Sequence, residues 1–328
     1  MTSRADIWAA FRTMRIQHPR LHDVAGVMSD LRECRRRTPH SEQGCASLFA
    51  DTQSGKSTAV KHYIETKVLD DVIAAGELKG DGLNRVKAAT LQKRVLHVTL
   101  TDKATPKSLA CDILDVLGAK YSAGSSTPLL MRQAYVLLKG CRTELLVVDE
   151  IQHLSLTALR QGTRASSSNQ FETSATNTLK LMMIRGLVPI LFVGKTEARH
   201  HLFNDEQLAA RCVNEINYGR LRLEIASEYK IFKDYLGKVG LMLREHGLFP
   251  ECSNFLSGDI PACVFEVAGG RLGMASRLVE AGAERSLERK GTTVNRDDLS
   301  QATDEWAIPK GHIDYNPFRD GVRRAILK

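Results

Sequence analysis

The sequence predicts an α/β fold, a doubly wound parallel sheet followed by a C-terminal helical lid domain. Three observations predict it. Strand-sized apolar runs alternate with helical segments in β-α-β-α order, which implies parallel strands joined by crossover helices. One run, Leu145–Val148, is apolar on both faces, as central parallel strands are. After Ile225 the period changes, and residues 227–307 hold only helical patterning.

The elements follow in order. Residues 1–40 read as short helices, broken at His18-Pro19 and ending near Thr38-Pro39. Ala46–Ala50 is a short apolar strand, and a helix runs from Gly55 to about Asp71. Residues 76–92, with glycines among charges, read as an exposed connection. Val95–Leu100 is a strand. Pro106 opens a helix that ends at Gly118, and Pro128 opens another that stops at Gly140. Residues 161–170 are Ser/Gly-rich and read as mobile. Asn177–Arg185 is helical, Val188–Val193 is a strand, and Glu215–Glu224 reads as a polar edge strand. Helices are expected over Tyr229–Leu243, Ile260–Val267, Met274–Leu287 and Arg296–Trp306. The resulting division is a basic N-terminal helical extension (1–40), an α/β domain (41–226), a helical lid (227–308) and a basic C-terminal tail (309–328).

Composition narrows the class. The chain has 328 residues, 43% hydrophobic and 26% charged, the balance of a globular protein. The formal charge of +8 sits at the ends. Residues 1–40 hold eight Arg and no Lys against four acids, and residues 309–328 hold five bases against two acids. The body therefore carries almost none of the excess. Basic ends point to an anionic partner such as nucleic acid, or are simply solvated. No run approaches the ~18 apolar residues of a membrane span, so no membrane partner is expected. Asp6, Arg12 and Arg15 interrupt any secretory signal. Seven scattered cysteines without a C-x-x-C pair argue against a zinc module and for reduced thiols, hence a cytoplasmic protein.

The chemistry concentrates in Ala50-Asp51-Thr52-Gln53-Ser54-Gly55-Lys56-Ser57-Thr58. This is a phosphate-binding loop between a strand and a helix, with Ala50 in place of the first glycine. Ala50 is tolerated there unless the position needs φ > 0. Backbone N–H groups of Asp51 to Thr58 would wrap the β-phosphate of ATP. Lys56 would reach the β- and γ-phosphates, and Ser57 would bind Mg²⁺. At the carboxyl end of Leu145–Val148 stand Asp149, which would hold Mg²⁺ through water, and Glu150, which would deprotonate the attacking water. Lys195 or Thr196, at the end of the next strand, would stand beside the γ-phosphate. Arg211 follows a short helix. It would either stabilise a neighbouring subunit's γ-phosphate or rest in a surface ion pair. Arg271 or Arg277, at a later helix start, would fold back on the nucleotide.

Together these residues resemble the AAA+ ATPases. The runs L-L-V-V-D-E-I-Q-H-L (145–154), V-P-I-L-F-V-G-K-T-E-A (188–198) and D-E-Q-L-A-A-R-C (205–212) resemble, more narrowly, the TniB/TnsC class of transposition regulators. The resemblance covers about residues 20–300. It departs at Ala50, at Lys195 where Thr is common, at Cys212 where Phe is common, and at Gly273, where related initiators carry a sensor Arg.

The resemblance implies a P-loop (AAA+) core that binds ATP and Mg²⁺. It also implies self-association on double-stranded DNA as a ring or helical filament, presentation of that DNA to a transposase, and a possible TniQ-type targeting partner. ATP hydrolysis would disassemble the filament. Lys103 and Lys107 would then face the ring interior and contact phosphates without base readout. No helix-turn-helix signal is present. Two other readings fit the residues: a P-loop scaffold that uses ATP only as an assembly ligand, and an origin-binding or helicase-loading AAA+ protein. The latter would be expected to carry a winged-helix domain that the twenty residues after 308 are too few to supply.

Overall fold

The computed structural model describes residues 2–78, 84–154 and 174–323. Its first half opens with α1 (Arg4–Thr13), α2 (Pro19–Arg37) and β1 (Cys45–Phe49). Then come α3 (Lys56–Tyr63), α4 (Leu69–Ala74), α5 (Arg85–Leu91), β2 (Val95–Thr99), α6 (Pro106–Leu117), α7 (Thr127–Gly140) and β3 (Leu145–Asp149). The second half holds α8 (Ser174–Ile184), β4 (Ile190–Gly194), α9 (Thr196–Phe203), α10 (Glu206–Arg211) and β5 (Cys212–Glu215). It closes with α11 (Ala226–Glu245), α12 (Ile260–Ala268), α13 (Leu272–Glu288), α14 (Arg296–Ala302) and α15 (Pro317–Asp320). Two compact units result: Met1–Pro19, Thr52–Gly55 and Gly219–Lys328 form one, and Arg20–Asp51 with Lys56–Tyr218 the other.

In the second of these, five strands pair in parallel in the order β2-β3-β4-β1-β5. Period-two alternation gives each strand two buried faces. Leu96, Val98, Leu146, Val148, Ile190 and Phe192 join one core with α6 to α8. Val95, Leu145, Val147, Leu191 and Val193 join another with α2 and α3. Helices on both faces make the sheet doubly wound, as the alternation of elements required. Chain order sets every strand's carboxyl end on one edge, and that edge carries the site. α6 shows how local sequence fixes an element. Thr105 caps it in a reciprocal box with Ser108, Pro106 fills its first turn, and Gly118 ends it at φ 72°.

A buried ion cluster ties α2 to this sheet. Arg32, 1% exposed, donates to Glu144 at 2.8 Å, to the Tyr63 hydroxyl at 2.9 Å and reaches Asp71 at 3.0 Å. Arg94 approaches Glu144 from the other side. Removing one member of a buried pair strands its partner's charge. Arg32→Ala should therefore lower unfolding free energy by about 3 kcal/mol, read from urea denaturation. A loss below ~1 kcal/mol would mean the cluster is solvated.

The other unit is helical. Phe232, Leu236, Phe255, Phe265 and Leu278 form its core. The expected N-terminal extension of 1–40 does not stand apart. α1, opened by a Ser3–Asp6 capping box, buries Ile7, Ala10 and Met14 in the helical core. α2 buries Leu21, Val24, Met28 and Leu31 against the sheet. Periodicity gives each helix an apolar face but not the core that receives it. The 309–323 part of the expected tail is likewise folded. Asn316 caps α15, and Phe318 is buried in the helical core.

Three further expectations change. The edge strand lies at β5, not at 215–224. Ile216 and Tyr218 enter the sheet core while Leu221 and Leu223 enter the helical one, so the alternation read as one strand serves two cores. The 76–92 connection contains α5, capped by Asn84. The helix from Gly55 is divided by a π-turn over Ile64–Val68. The 161–170 segment lies outside the described residues. Among the described residues no helix is long and apolar enough to cross a membrane.

Candidate nucleotide-binding site

β1 ends in Ala50, whose N–H donates to the Gly194 carbonyl at 3.2 Å. Ala50 is buried and lies outside the left-handed region, so the position does not need glycine. The loop places its left-handed residues elsewhere, at Gln53 (φ 62°) and Gly55 (φ 94°). Gly55 alone matches the conformation without a Cβ penalty. Left-handed residues in such loops turn successive N–H groups to one side, the backbone form that takes anions.

At the start of α3, Lys56 Nζ donates to the carbonyls of Ala50 (2.7 Å) and Asp51 (2.9 Å). Burial pushes its pKa below the ordinary lysine value, while Asp149, Glu150 and Asp51 pull it back up. Ser57 Oγ donates to Asp149 Oδ2 at 2.7 Å. Thr58, exposed, follows on α3.

Asp149 ends β3, 3% exposed. Its Oδ2 also lies 3.0 Å from His97 Nε2, and its Oδ1 accepts the Glu150 N–H at 2.9 Å. Burial raises this carboxyl's pKa, but the His97 and Ser57 hydrogen bonds outweigh it and hold the group below its usual value. Asp149 is thus kept ionised as a hard oxygen donor beside the Ser57 hydroxyl, a pair that suits Mg²⁺.

Glu150 sits at φ 58°, a left-handed conformation that costs a non-glycine residue about 1 kcal/mol or more. Gln152 Nε2 holds its carboxylate, and the same side chain's Oε1 accepts the Lys195 N–H at 3.3 Å. Gln152 therefore links the ends of β3 and β4. The link requires Gly194, where a Cβ would stand 2.3 Å from Ile151 Cγ2. Lys195 caps α9 and is exposed, and Thr196 Oγ1 reaches Asp51 Oδ1 at 3.4 Å. The structure thus brings Lys56, Ser57, Asp149, Glu150 and Lys195 to one sheet edge. His97 and Gln152 belong to this group and were not singled out from sequence. A lone histidine inside the apolar run V-L-H-V-T was the available signal for the first. Gln152 gave none.

Arg211 stands at the opposite edge. It precedes β5, whose Cys212 pairs with Cys45, the first residue of β1. The strands between span about 16 Å, so Arg211 cannot reach the Lys56–Asp149 edge of its own chain. Its guanidinium pairs with Glu42 at 3.1 Å and caps the Gln207 carbonyl at 3.0 Å. Asp205 ties down the turn before it. Asp205 caps Gln207 and Leu208, and its other oxygen forms a buried ion pair with Lys180 at 2.5 Å.

Lys103 and Lys107 lie in one corner beyond β2. Lys103 is exposed at φ 56°, and Lys107 is half-buried in the first turn of α6. The Ala104 N–H donates to His153 O at 3.1 Å and anchors that corner.

In the helical unit, Arg271 caps α13 and donates to Ala268 O at 3.1 Å, while Arg277 pairs with Glu280. Loop residues Thr52–Gly55 group with this unit. A Cβ at Gly273 would stand 2.4 Å from the Gln53 carbonyl, so no side chain, and no sensor Arg, fits at that position. Arg277, four residues on, shares that helix face.

A strand–loop–helix carrying Gly-Lys-Ser beside an Asp-Glu pair defines a P-loop nucleotide-binding protein. A family model described as an AAA domain matches residues 36–202, just over half of the chain, and the chain belongs to that family. No curated protein matches it. Solved structures with the same fold include the Aeropyrum pernix ORC1 protein in complex with DNA. That comparison has a TM-score of 0.60 and 16% identity, covering 93% of this chain and 71% of that one. The Aeropyrum pernix ORC2 protein in ADPNP–ADP complexes gives 0.57 and 13%, covering 90% and 71%. Cdc6p from Pyrobaculum aerophilum gives 0.56 and 13%, covering 90% and 70%. At such identities the likeness is one of fold.

Proposed function

We propose that the protein is an ATP-dependent regulator of DNA transposition. In this reading it binds duplex DNA without base readout, assembles on it with copies of itself, and presents it to a transposase. A TniQ-type protein is the proposed targeting partner. The observation that carries the ATPase part is the convergence of Ser57 and Asp149 at 2.7 Å beside Glu150. The D-E-I-Q-H-L and V-G-K-T-E-A runs, with Q-L-A-A-R after them, support the transposition part.

Each residue then has a role. Lys56 exchanges two carbonyls for phosphate oxygens. Ser57 and Asp149 would hold Mg²⁺, which would neutralise charge on the β- and γ-phosphates. Glu150, turned off the strand by its left-handed backbone, accepts the proton of the attacking water. Lys195 lies near the γ-phosphate. Arg271 or Arg277 is assigned the contact from the helical unit to the nucleotide. Arg211 acts on the ATP of the next subunit, since it lies a strand's length from its own. Lys103 and Lys107 contact DNA phosphates, which gives affinity without sequence preference.

A second reading, an origin-binding initiator, is favoured by the likeness to the ORC1 structure solved with DNA. Electron micrographs with unrelated duplexes and a non-hydrolysable ATP analogue separate the two. Continuous assemblies on any duplex are expected here; discrete particles on one sequence would favour the initiator. Lys56→Ala should weaken ATP binding by about 2–4 kcal/mol, ~30- to 1000-fold, and remove these assemblies. Assemblies that persist unchanged would break the coupling between nucleotide and DNA.

A further inference from the structure

Two of the seven cysteines are neighbours across strands. Cys45 opens β1, Cys212 opens β5, and the two are register partners in a parallel pair. Adjacent strands lie about 4.8 Å apart, and disulfides bridge Cα atoms about 4.4–6.8 Å apart. Both side chains lie on the same face of the sheet, packed on the same core. The ladder shifts register immediately after Cys45, so the β5 backbone bends at Val213. That bend gives slack for a bridge.

The environments of the two sulfurs differ. Cys45 is buried, its Sγ 3.9 Å from the Leu208 carbonyl. Cys212 is half-buried. The Cys45 thiol donates to Cys212 and outweighs burial, bringing the Cys212 pKa down to about 7, while Cys45 is raised. Near neutral pH Cys212 therefore carries more thiolate than an ordinary thiol.

We propose that Cys45 and Cys212 form a peroxide-reactive dithiol that closes to an intramolecular disulfide between β1 and β5. The Cys212 thiolate attacks one oxygen of hydrogen peroxide and the O–O bond breaks. This gives a sulfenic acid, and the other oxygen leaves as water after taking a proton. Cys45 Sγ then attacks the sulfenic sulfur. The S–S bond forms, the S–O bond breaks, and a second water leaves with the Cys45 proton. Two thiols lose two electrons to one peroxide. The bridge would clamp the strand that begins one residue after Arg211. Its bearing on hydrolysis rests on the role proposed for Arg211; the disulfide itself does not.

The test uses the reduced full-length protein and hydrogen peroxide near stoichiometry at pH 7. Free thiols are then alkylated, and the protein is digested without reductant for mass spectrometry. The expected product is a peptide pair joining Cys45 to Cys212, about 2 Da below the sum of the free peptides and lost on reduction. In Cys212→Ser, Cys45 should remain fully alkylated. In Cys45→Ser, or Cys45→Ala should the buried serine disturb folding, Cys212 should be trapped by a dimedone probe as sulfenic acid. Oxidation of the exposed Cys34 and Cys252 while Cys45 and Cys212 stay alkylated would overturn the proposal. A Cys212 bridge to a second chain would do the same. Turnover that stays constant while the bridge forms would leave the dithiol standing and count only against the Arg211 reading.

Discussion

Arg211→Ala is expected to lower ATP turnover about 10³-fold while changing ATP binding by the isolated chain only slightly. A finger supplied by a neighbour is worth 10³–10⁵ in rate, about 4–7 kcal/mol. Its ion pair with the exposed Glu42 is worth at most about 1 kcal/mol, so the guanidinium is free to exchange partners on assembly. In the proposed assembly, the strand length between Arg211 and Lys56 would make the effect one between subunits. Mixing Arg211→Ala with a variant lacking the catalytic base should therefore restore turnover above either alone. A mixed interface is intact when the Arg211→Ala chain holds the ATP and its base, and the neighbour supplies Arg211. Normal turnover in Arg211→Ala would assign the finger elsewhere.

Glu150→Gln is the second large effect. The amide keeps the shape and the Gln152 neighbour but cannot take a proton, so turnover should fall about 10²- to 10⁴-fold. Binding should persist, because Lys56, Ser57 and Asp149 are untouched. Assemblies on DNA should then last longer in ATP, read as slower dissociation. A variant that hydrolyses at the normal rate would move the base role away from Glu150. One with no hydrolysis to lose, and unchanged assembly, would favour a scaffold that uses ATP only as a ligand.

Much of the site was legible because it depends on residues close in sequence. Gly55-Lys56-Ser57 must follow a strand and open a helix, and both flanks announce themselves by pattern. Asp149 and Glu150 end an apolar run, which sets them at the sheet's carboxyl edge. Ala50 was the open question, and backbone geometry answers it: the left-handed residues are Gln53 and Gly55. His97 and Gln152 were missed because their roles exist only across strands. His97 meets Asp149 from β2, and Gln152 joins β3 to β4. No spacing along the chain encodes either.

The uneven charge changed meaning for the same reason. The arginines near the N-terminus looked like a free basic arm. In the folded chain Arg4 meets Glu284 and Glu288, Arg32 is buried against Glu144, and Arg36 and Arg37 hold Glu33. Near the other end Arg319 pairs with Asp304, and Arg323 lies 3.6 Å over the Tyr315 ring. Much of this charge is therefore answered within the chain.

By itself the sequence determined the fold class, the phosphate loop and the acidic pair, because strand and helix periods and turn chemistry are local properties of the chain. The tertiary structure decided which core receives each amphipathic helix and which charges are spent internally. It also set Arg211 a strand's length from its own phosphate edge, and made neighbours of Cys45 and Cys212, 167 positions apart. Those outcomes depend on which surfaces meet, and an apolar face carries no label for its partner.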